Sequence, residues 1–357
     1  MSASATPRRA TIEEALLPPF VALLIALVVG DILILTFGEA PGHVYRLLLE
    51  GTWGNPYGLG QVLFKATTLI FTGLAVSLGL RAGLFNIGAE SQLAAGGFAA
   101  AVGGLALGAG TPAIIAIPLC ILAAAAGGGV VGAIPGLLKA RFGAHEVIVT
   151  IMLNFIVLAF LNWIVAARMA VPETLHTAEM QAGTVPRLST TMDAFHGSAA
   201  NWTILAALGA AALVWWYLER TRAGYELRAV GLQPDAAEYG GVRVGGVWIR
   251  AMTLAGALAG LGGINHVLGY KHYYEDAFSG GAGFLGIAVA LVGRNHPLGV
   301  VLAALFFATL SQGGLAIHAL VPKQMVEVLQ GIVILAVAMA VPEVRRLLRE
   351  TTAKAIR

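Results

Sequence analysis

The chain contains about ten stretches of roughly 20 mostly apolar residues, and this repetition constrains the fold more than any other feature of the sequence. A helix of about 20 apolar residues crosses about 30 Å of hydrocarbon and satisfies its backbone hydrogen bonds internally. The sequence therefore predicts an all-α polytopic membrane protein with about ten transmembrane helices. The predicted spans lie near residues 18–37, 61–80, 84–108, 112–138, 146–167, 201–218, 246–269, 278–293, 297–317 and 323–342.

Two of these stretches, 84–108 and 278–293, are interrupted by glycines and are predicted to be discontinuous or re-entrant. Their placement, one in each half of the chain, suggests a two-fold internal repeat and points to a transport pathway. Glycine pairs with GxxxG spacing, such as those at 128/132 and 256/260, predict close helix packing, because small residues let helix backbones approach in lipid.

Composition excludes several classes of protein. The chain is 58% hydrophobic and 11% charged, whereas soluble domains are about 45–50% apolar and about 25% charged. A soluble globular enzyme, a disordered chain and a disulfide-stapled domain are thereby excluded. The net charge of +3 gives no indication of a nucleic-acid partner.

The distribution of basic residues predicts the orientation. With the N-terminus inside, 16 of the 22 Lys and Arg residues fall on the cytoplasmic side, where they are enriched in membrane proteins. Both termini are then cytoplasmic. The predicted organisation is a cytoplasmic segment 1–17, a membrane domain 18–342 with external loops 38–60 and 168–200 and a cytoplasmic loop 219–245, and a basic cytoplasmic tail 343–357.

The cytoplasmic loop contains a short predicted helix at 234–239. Pro234 suits the first helical position and Gly240 the C-terminal cap, and Asp235 lies favourably near the N-terminal end of the helix dipole. A helix this short is not stable alone in water and must dock on something. Two surfaces remain open at this point: the helices of the chain itself, or a cleft on a cytoplasmic partner.

Polar residues inside predicted spans are candidates for a solute pathway, because a charged group in the bilayer must face a bundle interior or water. Asn86 and Glu90 lie in the segment 81–93. The alternatives for Glu90 are an ion pair with Arg81 or the capping of a half-helix. Asn154 and Phe155 could present an amide and a ring to a polar cyclic solute, and the alternative for Asn154 is a hydrogen bond between helices.

The sequence lacks two kinds of chemical motif. Its eight His residues show no paired metal-ligand spacing, so no metal site is expected, and no Lys follows a Gly as a phosphate-binding loop requires. The chain carries no cofactor of its own by this reasoning. If transport uses ATP, another chain must hydrolyse it.

Four blocks resemble the nucleoside and simple-sugar ABC transporter permeases, whose superfamily includes the branched-chain amino acid and ribose permeases. The resemblance covers about 40–342. The blocks are PYGLGQVLFKAT at 56–67, RAGLFNIGAE at 81–90, GAHEVIVTIMLN at 143–154 and GIAVALVGRNHPLG at 286–299. One departure is Ser91, where the family usually has Gly.

The resemblance implies the permease subunit of an ATP-driven importer in a bacterial inner membrane. It implies three partners: an ATPase with two nucleotide-binding modules that binds ATP and Mg²⁺, a second related permease in a heterodimer, and an external binding lipoprotein that delivers a nucleoside. It also implies that 224–241 docks on the ATPase. The coupling candidates are Arg228, Pro234, Asp235, Ala236, Ala237 and Glu238, and the pathway candidates are Phe85, Asn86, Glu90, Asn154 and Phe155.

Two alternatives to a nucleoside importer remain open. One is a simple-sugar permease of the same superfamily. The other is a secondary transporter that needs no ATPase and uses Asp31 or Glu90 as a proton site.

Overall fold

A computed structural model describes residues 24–336, apart from residues 26, 193, 194, 196, 319 and 323. The predicted cytoplasmic segments 1–17 and 343–357 lie outside the described residues. The described helices are numbered in chain order. They are α1 Leu27–Thr36, α2 Pro41–Glu50, α3 Pro56–Arg81, α4 Ala89–Ala106, α5 Ala113–Phe142, α6 Glu146–Ile164, α7 Thr203–Arg220, α8 Arg222–Leu232, α9 Pro234–Tyr239, α10 Val244–Leu261, α11 Gly263–His266, α12 Ala282–Val292, α13 Pro297–Ala316 and α14 Gln324–Ala336.

The all-α membrane architecture is confirmed, whereas the count of about ten spans is not. Within the described residues, five helical segments are long and apolar enough to cross a membrane. A sixth arises if α1 and α2, which are bent by 108°, form one broken span. The five segments are Pro56–Arg81, Ala113–Phe142, Glu146–Met169, Val244–Lys271 and Pro297–Ala316.

Both glycine-interrupted stretches contain a break followed by a helix. Residues 82–88 are not helical and precede α4, whose first turn carries Glu90. Residues 272–281 are likewise non-helical and precede α12. Because α12 has only 11 residues, it extends about 16 Å and cannot cross the bilayer alone.

Glycines at the predicted GxxxG positions bring α5 and α10 into backbone contact. A Cβ on Gly128 would meet the carbonyl oxygen of Gly256, and a Cβ on Gly132 would lie 2.8 Å from the Cα of Gly256. Gly260 is packed in the same way, with the Cα of Gly128 2.9 Å from its Cβ position. The prediction of close packing is therefore confirmed for this helix pair.

The chain divides into two compact units, residues 1–49 with 313–357 and residues 50–312. In the second unit, α3 is the most buried long span, with 78% of its apolar window buried. A Cβ on Gly73 of α3 would lie 2.7 Å from Val289 of α12 and 2.9 Å from Val300 of α13. The central helix thus holds the short α12 by close contact.

The first unit contains α1, α2 and α14. A Cβ on Gly30 of α1 would lie 3.0 Å from Leu329 of α14 and 3.1 Å from the hydroxyl of Tyr45 of α2. The segment predicted as the external loop 38–60 therefore includes a helix of 10 residues, α2.

The predicted external loop 168–200 packs on the segment that follows α11. Its described residues form isolated antiparallel bridges, one of which joins His176 to Glu275. The N–H of Met180 donates to the carbonyl of His272 at 2.7 Å, and that of Val185 donates to Leu268 at 2.8 Å. The described part of this insertion therefore packs against residues 268–276 through backbone hydrogen bonds.

Candidate functional site

Three buried side-chain amides hold the break between α3 and α4. Asn86 and Gln92 exchange two hydrogen bonds between their amide groups, at 2.8 and 3.1 Å. Asn154 of α6 donates to the carbonyl of Ile87 at 3.0 Å and accepts from the N–H of Ser91 at 3.1 Å. The backbone of the broken segment is thus satisfied by side chains, as burial in a membrane requires.

Glu90 connects the first break to the second. Its carboxylate is 4% exposed and accepts hydrogen bonds from the hydroxyl of Ser279 at 2.5 Å and from the N–H groups of Gly281 at 3.0 Å and Gly283 at 2.7 Å. An acidic group at a helix N-terminus satisfies unpaired amides and complements the helix dipole. Of the two structural alternatives for Glu90, the structure shows the capping of a half-helix, α12.

Arg81 binds elsewhere, at the other end of α12. Its Nε donates to the carbonyl of Asn295 at 3.0 Å. Asn295 lies in the link between α12 and α13, where it and Arg294 both have positive φ, of 53° and 55°. The segment 81–90 therefore contacts the links at both ends of α12.

The five pathway candidates do not converge on one cavity. Asn86, Glu90 and Asn154 are buried within the hydrogen-bond network of the breaks, and Phe85 is half-buried. Phe155 follows Asn154 on α6 but is 70% exposed. Only 17% of the apolar window of this helix is buried, so Phe155 belongs to a face that the chain itself leaves open.

A cavity of about 260 Å³ lies beside the Glu90 network. One wall is the loop that Glu90 holds, and the other walls come from α3, α11 and α13. Sequence reasoning did not assign this site. Its lining residues are Phe64, Lys65, Thr68, Leu69, His266, Phe278, Ser279, Gly280, Gly281, Ala282, Leu285 and Ser311.

Aromatic rings and a cation give this cavity its chemical character. The ring of His266 lies 6.3 Å from that of Phe64 and 5.1 Å from that of Phe278, measured between centroids. Lys65 donates to the carbonyl and hydroxyl oxygens of Ser311, at 3.2 and 3.3 Å. A lysine within an apolar span was the sequence signal that could have identified the site.

Further pairing keeps the cavity residues in place. The Nε2 of His266 lies 2.9 Å from the Oε1 of Glu275. Asn265 donates to the carbonyl of Phe64 at 2.8 Å and to the hydroxyl of Thr68 at 2.9 Å. Within the described part of the chain, no group of three His, Cys, Asp or Glu side chains comes together as a metal site would need.

The loop 219–245 contains the helix predicted from its sequence, α9, which spans Pro234–Tyr239. Pro234 stands at its start and Gly240 at its C-terminal cap, with the Gly240 N–H donating to the carbonyl of Ala236 at 3.1 Å. The left-handed residue that ends the turn is the next one, Gly241, with φ of 84°.

The two faces of α9 differ. Ala237 is buried against the chain, whereas Asp235, Ala236 and Glu238 are exposed. Two large apolar side chains beside them are almost entirely exposed, Leu232 at 89% and Tyr239 at 99%. The outer face of α9 thus combines acidic and large apolar groups.

The preceding helix, α8, is fixed to the rest of the chain by ion pairs. Arg228 binds Glu219 at 2.7 Å, and Arg250 of α10 binds Glu226 at 3.2 Å. The hydrogen bond from Arg250 holds the pKa of the Glu226 carboxyl below its usual range, with Arg222 acting in the same direction.

Backbone contact joins α8 to the first break. A Cβ on Gly231 would meet the carbonyl oxygen of Arg81 and lie 3.0 Å from the carbonyl carbon of Ala82. Gly83, with φ of 73°, approaches Gly231 from the opposite side, and its Cβ position lies 3.3 Å from the Gly231 Cα. Helix α8 therefore packs directly on the start of the segment 81–90, which contains Glu90.

Comparison with known proteins places this architecture among transport proteins. Residues 58–338 match the family described as the permease component of branched-chain amino acid transport systems. The chain is 39% identical over 332 residues to the guanosine ABC transporter permease NupP of Bacillus subtilis, covering 90% of this chain and 93% of the relative.

Two further relatives are 33% identical. The nucleoside ABC transporter permease NupB of Lactococcus lactis is matched over 90% of both chains. The glucose ABC transporter permease TsgB13 of Haloferax volcanii is matched over 89% of this chain and 85% of its own length. In Bacillus subtilis and Lactococcus lactis, a second permease of the same named function also matches, at 28% and 25% identity. The chain belongs to this family of permease components and is a multi-pass membrane subunit of an ABC transporter.

Proposed function

We propose that the chain is the permease subunit of an ATP-driven importer of nucleosides in a bacterial inner membrane, with both termini cytoplasmic. The observation that carries this proposal is the 39% identity over 90% of the chain to a guanosine permease. A glucose or other simple-sugar permease is the second candidate, because the relative named for glucose is 33% identical.

In this proposal, α9 docks on the ATPase, which has two nucleotide-binding modules and binds ATP and Mg²⁺. A helix of six residues needs a docking surface, and the chain covers only part of α9. Arg228 orients α8 through Glu219, while the exposed groups around α9 supply a mixed polar and apolar contact surface. The coupling residues are those named from the resemblance: Arg228, Pro234, Asp235, Ala236, Ala237 and Glu238.

A second, related permease completes the pathway as a heterodimer. The second permease that two of the relatives have supports this arrangement. Phe155, which is 70% exposed on a sparsely covered helix, would meet solute only where another subunit faces it. Phe85, Asn86, Glu90 and Asn154 remain pathway candidates with it. The external binding lipoprotein would deliver solute at 38–60 and 168–200.

The test substitutes exposed residues of α9 and measures uptake by the transporter reconstituted with its ATPase, second permease and binding protein. Tyr239→Ser combined with Ala236→Arg alters only exposed groups and spares buried Ala237. ATP-dependent guanosine uptake should fall at least about tenfold, as expected when an interface loses a large aromatic contact. The matched control is Phe142→Ser, because Phe142 is an aromatic residue that is 76% exposed at the C-terminal end of α5 and lies outside the segment 224–241.

Two outcomes would contradict the proposed coupling to an ATPase, and a third would contradict the proposed solute. Uptake that is unchanged in the α9 variant would exclude docking through this surface. Uptake that collapses with an uncoupler but survives ATP depletion would identify a secondary transporter. Uptake of glucose in place of guanosine would identify the chain as a simple-sugar permease, the second candidate.

A further inference from the structure

The cavity beside Glu90 has the features of a binding site rather than of a packing defect. It brings rings and polar groups from four segments to one place. Its wall at Gly280 and Gly281 is not packed against other residues, because a Cβ atom on either glycine would have nothing within 4 Å. A concave, largely apolar site with a few convergent polar groups is the usual form of a small-molecule site. An intramembrane lysine and a discontinuous helix are independent indicators of a solute site.

The electrostatics of the cavity favour an uncharged solute. The N-terminal amides of α12 would otherwise attract an anion, but the Glu90 carboxylate already accepts from Gly281 and Gly283. Lys65 supplies one positive charge at the lining, whereas the carboxylates of Glu90, behind the loop, and of Glu275, paired with His266, lie beside it. A phosphorylated solute therefore gains little here.

The lining favours a flat heteroaromatic ring. Phe64, His266 and Phe278 line the cavity as one cluster of neighbouring rings, and every base has a flat face that can stack on aromatic side chains. Lys65 and Thr68 add groups that can donate to ring oxygens and nitrogens, and the Ser279 hydroxyl, which donates to Glu90, can accept from a ring N–H. The volume of about 260 Å³ lies just below the usual range for drug-sized ligands, which suits one base with part of its sugar.

We propose that this cavity binds the base of an uncharged nucleoside inside the permease subunit, with Phe64, His266 and Phe278 as the stacking surface and Lys65 as the polar contact. The inference rests on the proposed nucleoside importer and adds a site to it. The site lies within this chain, apart from the open face of α6 that carries Phe155.

A photoreactive azido-guanosine tests the site directly in the complete transporter. The label should fall on peptides containing 64–69 or 278–285, and unlabelled guanosine should compete with it, whereas glucose should not. Phe278→Leu keeps an apolar side chain but removes the ring, and should lower labelling about tenfold, the effect of losing one stacking contact. Lys65→Met should lower it as well.

The matched control is Phe142→Leu, because Phe142 is 76% exposed at the C-terminal end of α5, away from the cavity and from the open face of α6. Copurification with the partner chains verifies that each variant is assembled. Labelling that persists in Phe278→Leu, or that falls on other peptides, would overturn the site. Competition by glucose but not by guanosine would overturn the ligand class.

Guanosine uptake by the same vesicles separates the two proposals. If uptake proceeds while the cavity is not labelled, the inference fails and the importer stands. If the vesicles take up no guanosine at all, the proposed solute fails before the cavity is considered.

Discussion

Replacing Glu90 by Gln removes the contact that joins the two broken segments. The carboxylate accepts three hydrogen bonds, from the Ser279 hydroxyl and from the N–H groups of Gly281 and Gly283. In Glu90→Gln, one acceptor oxygen becomes a donating NH₂ group, so at least one buried donor loses its partner, at about 1–3 kcal/mol. Loss of the negative charge at the N-terminus of α12 adds about 0.3–1 kcal/mol. We expect α12 to be held less tightly by about 1.3–4 kcal/mol, a factor of roughly 10 to 1,000.

The assay compares solute imported per ATP hydrolysed in vesicles with the thermal midpoint of the permease complex in detergent. Both should fall in Glu90→Gln. Glu90→Asp, which keeps the charge but has a shorter reach, should be intermediate. Glu173→Gln is the chemical control for the midpoint, because Glu173 is exposed. A Glu90→Gln complex with the ratio and the midpoint of the original protein would refute this account of the carboxylate.

Two further predictions concern packing and pH. Gly128→Leu should prevent α5 and α10 from meeting and sharply lower the yield of assembled complex, whereas Gly209→Ala, with nothing within 4 Å of its Cβ position, should leave the yield unchanged. Because Arg250 holds the pKa of Glu226 below its usual range, this pair stabilises the fold above the ordinary carboxyl pKa and loses its effect as the pH falls through the lowered pKa. In Glu226→Gln, the thermal midpoint should therefore fall less steeply as the pH is lowered. A fall as steep as in the original protein would contradict the stabilising role of this ion pair.

Local features of this fold could be predicted from the sequence. Pro234 and Gly240 bracket α9, because one fits a helix start and the other a helix end without help from distant residues. The glycine spacing on α5 and α10 is likewise local to each helix, and in lipid such small-residue surfaces mainly allow helices to pack closely. Polarity inside an apolar span also identified Asn154 and Glu90 as residues that need partners.

The partners themselves could not be predicted, because they are distant in sequence. Glu90 binds Ser279, 189 residues away, and nothing near Glu90 distinguishes this acceptor role from an ion pair with Arg81. The cavity is assembled from four separate segments, so no single motif marks it. The count of about ten spans is not confirmed within the described residues, where the apolar stretch 278–293 supplies a helix of only 11 residues because its first part forms a loop.

The segment 81–90 lies between the α8–α9 region, which is proposed to dock on the ATPase, and the cavity that is proposed to bind solute. Gly231 of α8 rests on the backbone of Arg81 and Ala82, so a displacement of α8 by the ATPase cannot be absorbed by a flexible side chain at that point. Arg81 and Glu90 then contact the links at the two ends of α12, and the loop before α12 forms a wall of the cavity. Contiguity alone does not demonstrate energetic coupling. The ratio of solute to ATP in Glu90→Gln decides the question, because a purely structural capping role would lower the thermal midpoint while leaving that ratio unchanged in the complexes that remain assembled.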